Sequence, residues 1–486
     1  MRLFVIAAAL AAHALSAGTY DKPGPLTPRN RVDELLFAQW KALGVAPANL
    51  CSDSVFVRRA YLDVIGTLPT AAEAAAFLAD PSPAKRSALI DTLLARPEFA
   101  DYWAMKWSDR LRVKAEFPIN LWPNAAQAYS HWILDSIRQN KPYDRFVREM
   151  LTASGSNFRS APVNFYRAMQ NREPRGIAQT VAQTFMGEAA DKWPAARLDG
   201  MAAFFAKIGD KKTLEWKEEI LFFDPDKVTD LPAAVFPDGT PARIAAGQDP
   251  REVFAAWLIT PENPWFTRAA ANQVWTWLMG QELTEENPEL LKWLAGELAA
   301  SHYDLKQLYR LILNSTSYQL APAAKSEHFT AYPLRRLDAE VLIDALDAIT
   351  GTSETYSSSI PEPYTYMPDF QRAISLPDGS ISSPFLELFG RPPRDTGMES
   401  ERNNKITDAQ RLHMLNSSHI QRKLQQSPTL QAIREIRDAR QLTDRIYLTV
   451  LSRYPTDEER KLAQGHQPPI DVIWALINTT EFQFRH

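Results

Sequence analysis

Six charged side chains crowd a stretch of twelve residues and form the densest group of chemically useful residues in the chain. They are Arg391, Arg394, Asp395, Glu399, Glu401 and Arg402. In a polar cleft, Glu399 or Glu401 would act as a general acid or base, and the arginines with Asp395 would hold an anionic or hydroxylated ligand. The same side chains would equally form a buried ion-pair network that fixes a loop. Both interpretations are open at the level of sequence.

Glu399 and Glu401 also have the side-chain types that glycoside hydrolysis needs. That reaction uses an acid and a second carboxylate about 5–10 Å apart. The two residues alternate as strand residues do, so both would face one cleft. With 58 Asp and Glu in the chain, however, such a pair arises easily by chance. A hydrolase acting on envelope polysaccharide is therefore kept as the alternative hypothesis.

Tryptophan is abundant, and its flat ring can stack on sugars. Trp103 and Trp107 are four residues apart, which is typical of one buried face of a helix. Trp122 lies between Leu121 and Pro123 and follows no helical period. We therefore predict that Trp103 and Trp107 belong to the core and that Trp122 is exposed and available to a ligand.

The sequence offers few candidates for metal or cofactor binding. His413 and His419 are six residues apart, and on one helix they would face directions about 120° apart, which suits a shared metal poorly. Cys51 is the only cysteine, so a Cys-x-x-Cys metal site is excluded. The chain contains neither a phosphate-binding loop nor a dinucleotide fingerprint. We expect no metal and no cofactor.

The first residues have the pattern of an export signal. Arg2 precedes an apolar run that ends near Leu15, and small residues follow up to Ala17. The run is shorter than the roughly 20 residues of a membrane-spanning helix, and we expect no later span. The net charge of −4 gives no overall attraction to nucleic acid. Residues 1–17 therefore predict export to the periplasm or cell surface.

Helical signals recur along the remaining 469 positions of the 486-residue chain. Apolar residues follow a helical period from Val32 onward, and Thr70 with Glu73 forms a capping box. Residues 221–250 are rich in Pro, Asp and Gly, with a turn signal at Asp238-Gly239. The prediction is a mainly α protein with minor β-hairpin content. Two helical lobes, residues 18–220 and 251–486, are joined by a Pro-rich linker.

The segment PENPWFTRAAANQVWTWLMG (residues 261–280) packs three Trp and one Phe into twenty positions and is expected to be a central helix. Together with NPELLKWLAGEL (287–298) and DLKQLYRLILNSTSYQLA (304–321), it resembles the domain-of-unknown-function family 1553. SVFVRRAYLDVIGTLPTAAEAAAFLAD (54–80) and LIDTLLARPEFADYWAMKWSDRLRV (89–113) resemble family 1549. The resemblance implies an exported protein of the planctomycete or verrucomicrobial type, with no settled biochemical role.

The chain departs from this family pattern at one informative place. Relatives commonly carry a Cys-x-x-Cys-His stretch that looks like a c-type haem or metal site. Here the corresponding residues 187–209 contain neither Cys nor His. Covalent haem needs two thiols and an axial ligand, so electron transfer by such a haem is disfavoured. We predict a divergent member, more a binding or scaffold protein for an envelope protein or glycan than an enzyme.

Overall fold

The computed structural model describes residues 19–363, 365–464 and 468–486. Most of these residues lie in helices, and the strands are few and short, so the mainly α prediction is confirmed. The expected signal segment, residues 1–17, lies outside the described residues. No helix within the described ranges combines the length and apolarity needed to cross a membrane.

The part of the chain before the predicted linker contains ten α-helices in the described residues. They are α1 (Arg31–Leu43), α2 (Asp53–Ile65), α3 (Ala71–Ala79), α4 (Lys85–Ala95), α5 (Pro97–Arg110), α6 (Pro123–Arg138), α7 (Tyr143–Leu151), α8 (Asn164–Arg167), α9 (Pro174–Val181) and α10 (Ala195–Ala202).

The part after the predicted linker is again helical, with a long irregular segment between its fifth and sixth helices. The helices are α11 (Pro250–Leu258), α12 (Phe266–Met279), α13 (Pro288–Ala300), α14 (Leu305–Leu313), α15 (Ala339–Thr350), α16 (Pro384–Leu388), α17 (Asp408–Asn416), α18 (Ser418–Gln425), α19 (Pro428–Arg434), α20 (Ala439–Leu451), α21 (Asp457–Gln464), α22 (Pro469–Ile477) and α23 (Thr480–Gln483).

The strands form small sheets at the joints between helices. They are β1 (Asp21–Lys22), β2 (Leu50–Cys51), β3 (Gly155–Ser156), β4 (Ile208–Lys212), β5 (Glu219–Phe223), β6 (Pro322–Ala323), β7 (Tyr332–Pro333), β8 (Arg335–Arg336) and β9 (Phe484–Arg485). Strands β3, β5 and β4 make one antiparallel sheet in that order; β1 pairs with β2 and β8 with β9 antiparallel, and β6 with β7 parallel.

The main β-hairpin lies earlier in the chain than the turn predicted at Asp238-Gly239. It is formed by β4 and β5, with Ile208 opposite Phe223 and Lys212 opposite Glu219. Within residues 221–250, the turn at Asp238-Gly239 does form, but it closes only one bridge, between Val235 and Pro241. The prolines around that turn explain the difference, because a proline has no N–H to extend a ladder.

Local capping signals set the helix ends as the sequence predicts. The side chain of Thr70 accepts a hydrogen bond from the Glu73 amide, and the Glu73 carboxylate accepts one from the Thr70 amide. Gly44 ends α1 in the left-handed conformation at φ 67°, which costs glycine little. These signals act within four residues, so distant packing does not alter them.

The aromatic stretch forms α12, and its rings meet rings from the first half of the chain. The ring centroid of Trp277 lies 5.3 Å from that of Trp103 and 5.4 Å from that of Trp107, both on α5. Trp103 and Trp107 are buried, as predicted, and Trp275 is fully buried. The aromatic residues of α12 and α5 therefore form a buried contact between the two predicted lobes.

Nearly all buried hydrophobic side chains of both predicted lobes belong to one continuous core; Ala71, Ala74 and Leu448 form a small second cluster. Helix α2 shows why: Arg59 donates to the carbonyls of Tyr318 and His486, and Arg58 donates to those of Val450 and Phe482. Each guanidinium satisfies buried carbonyls more than 250 positions away in the sequence. The proline-rich segment thus joins two halves that share a core, and the proposed domain boundaries stay a prediction.

Candidate functional site

The charged segment, residues 391–402, turns its arginines into the protein. Arg394 and Arg402 both bind the carboxylate of Asp109 on α5, at N–O distances of 2.8 and 2.6 Å. Arg402 also binds Glu340 on α15, at 2.7 Å. The side chains of Arg394 and Arg402 are only 1% and 4% exposed. A ligand would have to displace protein groups to reach either guanidinium.

The ion pairs continue beyond the charged segment. Asp338, at the N-cap of α15, binds Lys106 at 3.0 Å and Arg485 at 2.8 Å, and Arg485 in turn binds Asp63 at 2.8 Å. Burial opposes ionisation of Asp338, but the nearby cations, Lys106 first, outweigh it and hold its pKa well below the usual value. Likewise Arg402 and Arg394 overcome burial and lower the pKa of Asp109. The network is charged and tightly paired.

Arg391 occupies a different part of the same interior. It donates to the carbonyls of Ile381 and Asp378, and its Nε lies 3.6 Å from Glu340. Burial, together with the charge of Arg394, lowers the pKa of Arg391 to about 10. The three arginines predicted to hold a ligand therefore bind carboxylates and carbonyls of the protein itself, which favours the structural interpretation.

The carboxylates of the segment also have local partners. Glu401 accepts hydrogen bonds from the amides of Asp395, Thr396 and Gly397, at 3.0, 2.9 and 3.2 Å. Glu399 is exposed and accepts from the indole N–H of Trp277 at 3.2 Å. Asp395 forms an ion pair with Lys114 at 2.7 Å. Glu401 thus holds its own loop together; its role as a catalytic acid or base stays a prediction.

Trp122 lies elsewhere, on a loop that leads into α6, and it is half-buried rather than exposed as predicted. Its main chain has φ 67° and ψ 156°, a combination otherwise almost restricted to glycine. Two backbone hydrogen bonds hold it there, from the Trp122 amide to the Ala115 carbonyl and from the Ala126 amide to the Trp122 carbonyl. A strained residue at a surface loop with a large aromatic ring is typical of a binding position.

The β4–β5 hairpin brings a second tryptophan to the same place. The rings of Trp122 and Trp216 meet edge to face, with centroids 5.1 Å apart and planes at 68°. The ammonium of Lys217 lies 4.1 Å from the centroid of Trp122. Asn157 anchors the hairpin tip, because its amide donates to the Lys217 carbonyl and its oxygen accepts from the Glu219 amide.

The two tryptophans line a polar cleft of about 500 Å³, here called the tryptophan cleft. Its walls come from three segments, residues 118–122, 167–172 and 212–219. On one wall, Glu219 binds Arg167 at 2.9 Å and Arg172 at 3.3 Å. The carboxylate of Glu218 accepts from Ser156 and Thr213. The cleft has the size and mixed aromatic and polar lining of a ligand site.

The structure does not bring Trp122 together with the arginines of the charged segment. One link between the two regions is Gln170, which lines the cleft and donates to the Asp395 carbonyl at 2.9 Å. The sequence analysis selected Trp122 as a candidate but not Trp216 or Lys217. The sequence does show Trp216 between two charged residues, a pattern typical of a surface position. Only the hairpin geometry, however, places this tryptophan against Trp122.

One expectation about histidines is wrong. His413 and His419 do not share a helix, because α17 ends at Asn416 and Ser417 begins α18 by accepting from the Ile420 amide. The break brings His413 Nε2 to within 3.2 Å of His419 Nδ1. His419 also has a carboxylate neighbour, Glu354, at 2.8 Å. The 120° separation assumed for a continuous helix therefore does not apply.

Comparison with known proteins finds two families of undescribed activity. Residues 31–207 match a protein of unknown function (DUF1549), and residues 250–466 match a protein of unknown function (DUF1553). No curated protein matches the chain, and no solved structure matches it. The tryptophan cleft is built by residues on both sides of the end of the first match.

Proposed function

Because this protein belongs to the DUF1549 and DUF1553 families, whose descriptions name no activity, we propose a function from its own surface. It binds a glycan in the tryptophan cleft and does not cleave it. The observation that carries the proposal is the pair Trp122 and Trp216, held edge to face at the wall of a polar cleft of about 500 Å³.

The rings supply the apolar part of sugar recognition. A pyranose has an apolar C–H face that stacks on indole, and its hydroxyls bind polar side chains around the ring. Trp216 is 53% exposed, which is high for so large an apolar side chain. Its ring would lose contact with water on binding, which is the source of the hydrophobic stabilisation.

The charged groups of the cleft favour a glycan that carries acidic groups. The lining contains four basic residues, Arg167, Arg172, Lys212 and Lys217, against three acidic ones, Glu215, Glu218 and Glu219. Glu218 and Glu219 already bind neighbouring protein groups. The ammonium of Lys217, over the Trp122 ring, would pair with a carboxylate of the sugar and uncover the ring face. A narrow polar cleft suits a glycan better than a partner protein, which needs a broad surface.

The non-catalytic part of the proposal is supported by the state of the candidate carboxylates. The carboxylate oxygens of Glu401 accept hydrogen bonds from three loop amides, and Glu399 accepts one from the indole of Trp277. Export to the periplasm or cell surface is likewise proposed, on the N-terminal apolar run and on the burial of the lone Cys51. Mass measurement of the protein recovered from the cell envelope tests the location.

Glycan binding is tested by calorimetry on the purified chain with two soluble probes, polygalacturonate and a neutral β-glucan. We expect saturable binding that is stronger for polygalacturonate and weaker at high salt. Trp216→Ala and Trp122→Gly should each weaken it about tenfold, as expected for loss of roughly 1.4 kcal/mol of ring contact.

Phe370→Ala is the matched control, because Phe370 is an exposed aromatic residue outside the cleft lining. It should bind as the unaltered chain does. Absence of binding to both probes, or equal binding by the Phe370→Ala and Trp216→Ala variants, would contradict the proposal. A fall in the chain length of either probe would instead support the hydrolase alternative with Glu399 and Glu401.

A further inference from the structure

The histidine pair, His413 and His419, has the geometry of two ligands to one metal ion. Their facing nitrogens, His413 Nε2 and His419 Nδ1, are 3.2 Å apart. Two imidazole nitrogens bound to one tetrahedral ion at about 2.0–2.1 Å lie roughly 3.3 Å from each other. An ion at that shared point would replace the hydrogen bond between the rings, with both lone pairs turned towards it.

A carboxylate orients one of these rings from behind. Glu354 Oε2 lies 2.8 Å from Nε2 of His419, the nitrogen that faces away from His413. Because a carboxylate only accepts, the proton of His419 is on Nε2, and the lone pair of Nδ1 is turned towards His413. Histidine ligands in metalloproteins are held in this way by a carboxylate on the outer nitrogen.

Glu354, the carboxylate behind His419, also has a cationic neighbour. Lys423 lies 3.2 Å from Glu354 and also binds Asp347.

We infer that His413 and His419 form a two-histidine site for a divalent transition metal that favours imidazole, such as Zn²⁺ or Cu²⁺, with Glu354 orienting His419. The described residues contain no group of three His, Cys, Asp or Glu side chains able to hold a metal. The remaining positions of the ion are therefore filled by water or by an outside ligand. Both rings are partly exposed, so the ion has access from solvent.

The site is tested by calorimetric titration of the full chain, without a histidine tag, with Zn²⁺ and with Cu²⁺ in metal-free buffer. We expect one ion per chain, with Cu²⁺ bound more tightly than Zn²⁺ as the general order of affinities requires. His413→Gln and His419→Gln should each weaken binding more than tenfold. Glu354→Gln should weaken it about tenfold, the usual effect of losing an orienting carboxylate.

His131→Gln is the matched control, because His131 is exposed on α6 and outside the pair. It should leave the affinity unchanged. The spectrum of bound Cu²⁺ in the unaltered chain gives a measurement that does not depend on any variant: it should show coupling to imidazole nitrogen. Absence of that coupling, or equal affinity in the His413→Gln and His131→Gln variants, would show that the two rings are only a hydrogen-bonded pair.

Discussion

Trp122 combines a large, half-buried ring with a main-chain conformation that L-residues seldom adopt. Holding a side-chain-bearing residue at φ 67° and ψ 156° costs about 1–3 kcal/mol. Neither the Trp122→Gly nor the Trp122→Ala variant keeps the ring, but only glycine relieves the strain. We expect the glycine variant to be more stable than the alanine variant by about 1–2 kcal/mol in urea unfolding, while both bind glycan about tenfold more weakly than the unaltered chain. Equal stability of the two variants would mean that the backbone there is relaxed.

Asp344 predicts a dependence of stability on pH. Burial, followed by the negative charge of Asp347, raises the pKa of Asp344 to about 7, although the amides of Ala373 and Ile374 donate to its oxygens. The pKa in the unfolded chain is about 3.9, so the folded protein holds this proton more tightly. Its contribution is fully present below about pH 4 and is lost as pH rises through 7.

The prediction is that Asp344→Asn removes this decline. In the unaltered chain the decline between pH 4 and pH 8 amounts to at most roughly 4 kcal/mol from this group. Urea unfolding at pH 5 and pH 8 measures the difference. Asp408→Asn is the control, because the side chain of Asp408 is 90% exposed. If both variants keep the same pH dependence as the unaltered chain, Asp344 is ionised in the folded protein.

At the scale of single elements, Glu401 fixes the loop of residues 395–397, which lies between the buried Arg394 and Arg402. Its carboxylate accepts from three successive amides, and hydrogen bonds to charged groups contribute about 1.5–3 kcal/mol. Glu401→Ala should lower the free energy of unfolding by roughly 2–3 kcal/mol, measured in urea. Glu399→Ala, which removes one exposed contact, should cost less than about 1 kcal/mol. The reverse order would argue against a structural role for Glu401.

Arg402 ties the charged segment to α5 and α15, through Asp109 and Glu340. Arg402→Met leaves Glu340 buried with one remaining cationic partner, Arg391, at 3.6 Å. Breaking a buried pair from one side costs about 3–5 kcal/mol, and we expect that loss in urea unfolding. Arg411→Met is the control: its ion pair with Asp408 is exposed and should contribute less than about 1 kcal/mol. A loss of similar size in both variants would show that the buried ion pairs of Arg402 stabilise the fold no more than an exposed pair does.

The break between α17 and α18 at Ser417 is set by a local capping signal. A capping box such as Thr407 with Gln410 can be predicted from the sequence because both partners lie within one helical turn. Ser417 caps α18 in the same way, through the Ile420 amide, and a serine at that position is a recognised start signal. The separation of about 120° between His413 and His419 applies only to one continuous helix, and the cap at Ser417 starts a new one. The 3.2 Å approach of the two rings is then decided by how the two short helices pack.

At the scale of the whole molecule, the continuous core predicts a single unfolding transition. Ring contacts such as Trp103 with Trp277 and buried bonds such as Arg59 with Tyr318 cross between the predicted lobes. Because neither half can bury these groups alone, we expect far-ultraviolet dichroism and tryptophan fluorescence to change together as urea is raised. Two separate transitions would show that the linker divides independently stable domains.

The sequence by itself determined the mainly α class, most helix ends, the burial of Trp103 and Trp107, and the resemblance to the two families. These follow from periodicity and caps, whose physical causes act within a few residues. It also singled out Trp122. Only the tertiary structure decided that Arg402 binds Asp109, 293 positions away, and that Trp216 faces Trp122. Charge and ring partners are chosen by how whole helices pack, and that information is not contained in local spacing.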